Sequence, residues 1–396
     1  MSAIRDLIWD AIRQADHVLL SLCVAANLYG IALIYSATRW KEAFHSFPLK
    51  QGVAMLIGIG LYFVVSQFNI QLLMDKWRWV VLGCTLFLLL LRTPLGVSAN
   101  GNRAWLHIPG IPFNIQPAEI VKLFFTMLLA YLLIQFKNTK ELSSVPSVAK
   151  LAGVLLYFCG LIFVLSSDAG SALIYVFIFI FMVWVAGLKR YWFALGIAFC
   201  AVIGLVGWHL LSADNRWKAR ILVCLDHDYD PQGVGFHQTR SYLAIRSGGL
   251  TGQGYLNGSL VQSKYSSALP ERYNDFIFSS CAQELGLIGC TVIILLLAAI
   301  IIRCLYVASV ASDTFSSLVC VGYGGMLIAQ VALNIGMCLY VLPVIGITLP
   351  FFSYGGSSII TMYITMGIIS GIRTRSRPNW LKDHPSVLRG GGKSSL

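Results

Sequence analysis

The sequence is short of charge. Of its 396 residues only 12% are Asp, Glu, Lys or Arg, whereas 57% are hydrophobic. Soluble domains carry roughly twice that share of charge. So few charges cannot cover a water-exposed surface, so lipid must be the solvent for much of the chain. Negative charge is the scarcer sign, with 17 acidic against 29 basic residues and a net charge of +12. On a soluble protein that excess would suggest nucleic acid. Here the basic residues lie mostly between apolar runs, where they fit membrane orientation and contacts with anionic lipid or lipid phosphate. Disulfide and metal spacings are also missing. Nine of ten cysteines sit in or beside apolar runs, and Cys224 alone lies in a long polar segment, so no cysteine framework is expected. No cleavable signal peptide is read, because residues 1–17 are polar and amphipathic and the first apolar run is long enough to span. No internal repeat is visible, which counts against a transporter.

What is there is a series of long apolar runs. Ten are candidate spans: 18–37, 50–68, 79–93, 117–136, 150–166, 170–187, 191–211, 279–303, 316–341 and 350–372. Each is expected to be a helix, because an open sheet would leave backbone groups unsatisfied in lipid. The third and fifth runs are short, and only Ser166-Ser167-Asp168 separates the fifth from the sixth. The fold class is therefore an all-α polytopic membrane protein. With the N-terminus in the cytoplasm, sixteen Lys and Arg fall on the inside and five in the short outside loops. The positive-inside rule then places both termini in the cytoplasm, and the segment 212–278, between the seventh and eighth helices, outside. Residues 1–375 read as one transmembrane domain, and 376–396 as a basic, Gly-rich tail expected to be disordered.

The segment 212–278 is too long and too varied in composition for a plain linker. It carries aromatic and aliphatic residues enough to fold back onto the helices, together with Arg216, Lys218, Arg220, Arg240, Arg246, Lys264 and Arg272. Such a loop suits a ligand with a phosphate at the lipid interface and a polar head above it. A solvated loop with incidental charges fits the same composition. Asp226-x-Asp228-x-Asp230 is not a calcium loop, because Pro231 stands where glycine is required. The glycine-dense run Ser247–Gly254 lacks a nucleotide-loop ending, so tight turns and close backbone approach explain it.

Glu271 and Asp275 lie four apart where the polar loop becomes an apolar helix. A carboxylate there can cap the helix. Pinned and partly desolvated, it can equally be a general base with a raised pKa. Glu284 lies inside the following span, where acids are expensive and either paired or functional. Glu119 and Lys122, three apart after Pro117, can form an ion pair on one helix face, and because a couple in an apolar helix must be compensated, a lipid-phosphate or packing role inside the bundle is favoured over a simple structural pair. Arg103 sits beside the interfacial aromatic Trp105, and Asp168 reads as a helix cap in a short turn. Two prolines, three glycines and serines between residues 342 and 358 suggest broken or re-entrant helix.

Several of these segments, in order, resemble the SEDS family (shape, elongation, division and sporulation), which includes RodA, FtsW and SpoVE. The marks are Gln116-Pro117-Ala118-Glu119-x-x-Lys122, Asp230-Pro231-x-Gly233-x-Gly235-x-x-Gln238, Ser247-Gly248-Gly249, Leu269-Pro270-Glu271-x-x-x-Asp275-Phe276-Ile277-Phe278 with Glu284-Leu285-Gly286, and Pro343-x-x-Gly346-x-x-Leu349-Pro350-Phe351-x-Ser353-Tyr354-Gly355-Gly356-Ser357-Ser358. The resemblance covers residues 15–375, and the sequence departs from the family pattern at Ala104, Ser167, Tyr273-Asn274 and Gln283. It implies ten transmembrane helices in a bacterial plasma membrane. It further implies a peptidoglycan glycosyltransferase that polymerises lipid II into glycan strands on the extracytoplasmic side. It implies Asp275 as the catalytic carboxylate, a need for Trp105, Glu119 and Lys122, and a class B penicillin-binding protein as crosslinking partner. A divalent cation, magnesium or manganese, is implied, with no organic cofactor and no ligand set for the metal. By charge and location, Arg103, Arg220, Arg240, Arg246 and Lys264 are candidates for the leaving diphosphate, with Glu271 beside the base. The rivals are a flippase for the lipid-linked precursor and a non-catalytic scaffold for the transpeptidase.

Overall fold

A computed structural model describes residues 12–41, 45–99, 102–110, 113–210 and 216–376. The tail 377–396 lies outside the described residues. The chain is a helical bundle in which, among the described residues, eight helices are long and apolar enough to cross a bilayer. They are α1 His17–Thr38, α2 Ser46–Ser66, α5 Pro117–Asn138, α6 Val145–Ser166, α7 Ala169–Ala186, α8 Arg190–Leu210, α11 Ile277–Ser309 and α12 Thr314–Cys338. Between α2 and α5 come the short α3 Ile70–Met74 and α4 Trp77–Leu89, which ends in a 3-10 turn at Leu90–Arg92. The third expected span is thus a helix of only 13 residues. The tenth begins six residues later than expected, at α13 Gly356–Arg375, because Pro350 and Gly355-Gly356 keep the preceding stretch irregular.

One feature departs from an all-α reading. Gly96–Ala99 (β1) and Asn102–Leu106 (β2) pair antiparallel, with Val97 opposite Trp105. The long segment is not a loose loop either. It forms α9 Arg216–Leu225 and α10 Phe236–Gly248, and α10 packs along α11 and α12.

The centre of the bundle is α5 and α12, whose apolar windows are each 78% buried, whereas α8 contributes no residue to the core. On α8, Leu195, Ile197, Phe199, Val202, Ile203 and Leu205 are exposed. That surface is stable only against lipid or another apolar partner.

Two buried polar knots hold the ends. At one end Asp16 caps α1 through Leu19 N. It also accepts from Arg303 at 2.9 and 3.1 Å and from Arg373 at 3.0 Å. Its carboxylate ties together α1, α11 and α13. At the other end α11 is broken at Gly286 (φ +65°, ψ −160°), whose amide neighbours pair with residues 249–254 as a strand would. A Cβ at Gly286 would lie 2.4 Å from Gly252 N, so this close approach requires glycine. Glu284, just before the break, accepts from Ser36 Oγ at 2.6 and 2.7 Å and from Gln262 Nε2 at 2.7 Å. Gln283 Oε1 takes the amides of Leu260 and Val261 at 3.1 and 2.9 Å.

Candidate functional site

Asp275 is held by backbone rather than by counter-charge. The turn before α11 folds back on Glu271, which sits at φ +47°. Its carbonyl accepts from Asn274 N at 3.0 Å and Phe276 N at 3.2 Å, and its carboxylate from Asn274 Nδ2 at 2.8 Å. Asn334, a polar residue in the apolar α12, donates to the backbone carbonyls of Asp275 at 2.9 Å and Ile347 at 2.7 Å. Ser353 Oγ donates to Asn274 O at 2.7 Å, and Tyr354 N to Tyr273 O at 2.9 Å. The irregular 342–355 stretch is therefore fastened along the acidic turn. Gly346 (φ +68°) faces the carboxylate: a Cβ there would lie 3.7 Å from Asp275 Oδ2. Gly170, at the start of α7, abuts the same stretch so closely that a Cβ would fall 2.3 Å from Ile345 O.

The Asp275 side chain keeps some accessible surface but is crowded by protein on most sides. Burial, followed by the charges of Glu271 and Asp168, pushes its pKa from 3.8 up to about 7. A carboxylate poised there is half ionised at neutral pH, which is where a general base is most effective. Asp168 itself caps α7, as read from the sequence. It accepts from Ser171 N at 2.9 Å, Ser171 Oγ at 2.6 Å and Gln116 Nε2 at 3.0 Å.

Gln116 leads into the second constellation. Lys122 and Glu119 pair at 2.8 Å on α5, with Lys122 only 2% exposed. Tyr175 donates to Ala118 O at 2.7 Å and locks α7 against this turn. Polar groups thus run from Asp275 past Asp168 and Gln116 to the buried pair.

Other candidate residues are placed differently. Arg103 donates to Thr93 O at 2.9 Å, its Nε is buried without a partner, and Trp105 pairs with Val97. Both belong to the β-hairpin, which joins the start of α5 through the Leu106–Ile115 bridge. Arg246 and Lys264 are exposed on the loop segment. Arg220 bears on His237 electrostatically. Arg240 Nε donates to Ala268 O at 2.8 Å and its guanidinium lies 5.9 Å from the Phe236 ring. Arg272 is structural. Only 1% exposed, it donates to the carbonyls of Leu260 (2.9 Å), Val261, Ser263 (3.0 Å) and Tyr265 (3.0 Å) and stacks on Trp40 at 4.5 Å. Glu271 lines a recess of about 400 Å³ that runs up to the acidic turn.

Sequence reasoning missed Asn334, Ser353 and Lys41 as site neighbours. A polar residue inside an apolar run was the available signal for Asn334. Among the described residues no three His, Cys, Asp or Glu side chains gather as a metal cage. Asp226 and Asp230 instead cap their own turns, accepting from Asp228 N at 3.1 Å and from Gly233 N and Val234 N at 3.0 and 2.8 Å.

The fold and site define a polytopic helical membrane protein with a raised-pKa carboxylate at one end of the bundle. Residues 16–378 match the family model described as "Cell cycle protein", which spans FtsW, RodA and SpoVE. The chain belongs to that family. It is 32% identical to the probable peptidoglycan glycosyltransferase FtsW of Geobacter sulfurreducens, over 92% of this chain and 96% of the relative. It is 30% identical to the peptidoglycan glycosyltransferase MrdB of Escherichia coli K12 (93% and 96%) and 34% identical to the stage V sporulation protein E of Bacillus subtilis (91% and 98%). Among solved structures it resembles a chain from work described as "Structural coordination of polymerization and crosslinking by a peptidoglycan synthase complex". There the TM-score is 0.77 and the identity 27%, over 91% of this chain and 98% of that one. The rod shape determining protein RodA of Thermus thermophilus aligns with a TM-score of 0.66 and 25% identity, over 92% and 98%.

Proposed function

We propose that this chain is a peptidoglycan glycosyltransferase that polymerises lipid II into glycan strands at the outer face of a bacterial plasma membrane. Asp275 is the general base. The observation that carries the reading is the Asp275 carboxylate set at the entry to α11, its backbone held by Asn334 and its side chain facing Gly346, with its pKa pushed up by burial and two neighbouring acids, in a chain whose curated relatives are named peptidoglycan glycosyltransferases. The Lys and Arg distribution supports the orientation, with both termini inside.

The Asp275 carboxylate takes the proton of an acceptor sugar hydroxyl. The freed oxygen attacks the anomeric carbon of the donor, and the bond from that carbon to the diphosphate oxygen breaks. The electron pair leaves with the polyprenyl diphosphate, and single displacement inverts the anomeric centre. Arg220, which bears on His237, and Arg240, beside Phe236 and Ala268, are the cations proposed to meet the developing charge. This chain builds no preformed metal cage among the described residues, but magnesium needs only one or two carboxylates besides substrate phosphates. Asp275 and Glu271 are the groups that would meet it, and bound there it would neutralise leaving-group charge. Gln116, bonded to Asp168, and the Glu119–Lys122 pair hold the facing ends of α5 and α7, and Arg103 and Trp105 belong to the hairpin joined to the start of α5.

A crosslinking transpeptidase, a class B penicillin-binding protein, is the proposed partner. The likeness to a chain of a synthase complex that coordinates polymerisation with crosslinking supports it. The rival reading, a flippase, makes no bond. Purified protein in liposomes with lipid II and a divalent cation, with and without the partner, separates the two. Strands on a gel support the polymerase; transbilayer movement of labelled lipid without strands supports the carrier.

A further inference from the structure

The recess beside the acidic turn is built by three separate segments. Trp40 and Lys41 follow α1, Phe236 and His237 open α10, and Ser266, Ser267 and Leu269–Tyr273 complete the lining. At about 400 Å³ it is of ligand size. Its lining combines aromatic faces, two serine hydroxyls and one carboxylate, the mixture that binds a sugar ring.

Lys41 is the unusual member. Its ammonium lies 4.2 Å from the Tyr273 ring centre, 4.5 Å from that of Phe47 and 5.3 Å from that of Trp40. It donates to Tyr273 Oη at 2.9 Å. An ammonium has three donors, and among the described residues no carboxylate lies within ion-pair distance of this one. Burial lowers its pKa, while Glu271 acts to raise it. The other basic groups of the recess are committed. Arg272 spends its terminal nitrogens on four carbonyls. His237 is driven toward the neutral form by burial and then by Arg220, against Glu271. An anionic ligand entering here meets Lys41.

We propose that this recess is the subsite for a saccharide bearing an acidic substituent, with Lys41 receiving the anion and Glu271, Ser266 and Ser267 receiving sugar hydroxyls. The inference rests on the glycosyltransferase reading for the identity of the sugar. Glu271 and Tyr273 line the recess and belong to the same turn as Asp275, closed by Asn274 N and Phe276 N on Glu271 O. A sugar seated here therefore lies next to the base. Its acidic substituent is either a peptide carboxylate or the diphosphate of the lipid-linked precursor, and one titration tells them apart.

The full chain in nanodiscs is titrated with lipid II carrying free peptide carboxylates, and with lipid II whose carboxylates are amidated. Lys41→Gln is expected to bind the free-carboxylate lipid about tenfold more weakly, the loss of one charge-assisted hydrogen bond, and Lys41→Arg to recover most of it. If the anion is the carboxylate, amidation weakens the wild type by a similar factor and leaves Lys41→Gln unaffected. If it is the diphosphate, Lys41→Gln is weakened equally toward both lipids. Unchanged affinity of Lys41→Gln for both lipids overturns the subsite. A second measurement needs no variant: lipid II is expected to protect Lys41 of the wild type from amine acylation, read by mass spectrometry, and absence of protection also overturns it. Because binding is the readout, a wild type that binds but makes no strands would defeat the glycosyltransferase reading and leave the subsite standing.

Discussion

Replacing Asp275 with Asn should make the protein more stable at alkaline pH while removing its activity. Burial and the charges of Glu271 and Asp168 hold the folded-state pKa at about 7, against 3.8 for an ordinary aspartate. A carboxylate with a raised folded pKa binds its proton more tightly in the native state. Its contribution is therefore most favourable below the unfolded value and is lost as pH rises through the folded one. The difference of about three units corresponds to about 4 kcal/mol above pH 7, an upper figure because Asp275 keeps some contact with solvent. The neutral amide escapes that penalty. Thermal unfolding in detergent should thus find the two proteins alike only below about pH 4, with the gap opening between about pH 4 and 7. The variant should melt several degrees higher near pH 8. A variant that is no more stable at pH 8, or one whose advantage does not grow with pH, would refute the claim that Asp275 is held in an unfavourable charged state.

The same shift sets the rate profile. Strand synthesis should fall about tenfold for each pH unit below about 7, as the base is protonated; a flat profile from pH 5 to 8 would remove Asp275 as the base. Gly170→Ala places a Cβ 2.3 Å from Ile345 O. It should destabilise by about 1–3 kcal/mol and slow the reaction, by displacing the stretch that faces Asp275; an unfolding curve matching wild type would count against that packing. Glu284→Ala leaves Ser36 Oγ without its acceptor and removes one of the acceptors of Gln262 Nε2 and should cost about 1–3 kcal/mol in the same unfolding measurement. Glu284→Gln should recover most of it.

Local features were legible in the sequence where local chemistry decides. Of the ten apolar runs, eight are helices long and apolar enough to cross a bilayer among the described residues, the three-residue spacing of Glu119 and Lys122 allowed the buried ion pair, and Asp168 is a helix cap. What was not legible depends on partners far apart in the chain. The pKa of Asp275 comes from a turn packed against residue 346 and from Asp168, more than a hundred residues earlier. Arg272 reads as one more loop cation until the four carbonyls around it are seen. Lys41 reads as a topology charge until three rings and a recess close on it. The break at Gly286 is hidden because the apolar run continues through it, and only the close approach of Gly252 explains the glycine. Position 283, where the sequence departs from the pattern it resembles, is Gln. Its amide accepts from two loop amides and donates to Ser247 and Ser259, at 3.0 and 3.2 Å, a role a neutral side chain fills on both sides.

The central claim is that Asp275 performs the chemistry and is not merely part of the fold. Its most direct test is strand synthesis from lipid II in liposomes by wild type and Asp275→Asn, with the partner and a divalent cation present and the variant shown to be folded by its melting curve. Strands from the wild type and none from an equally folded variant are expected. Strands of normal length and yield from Asp275→Asn would contradict the account.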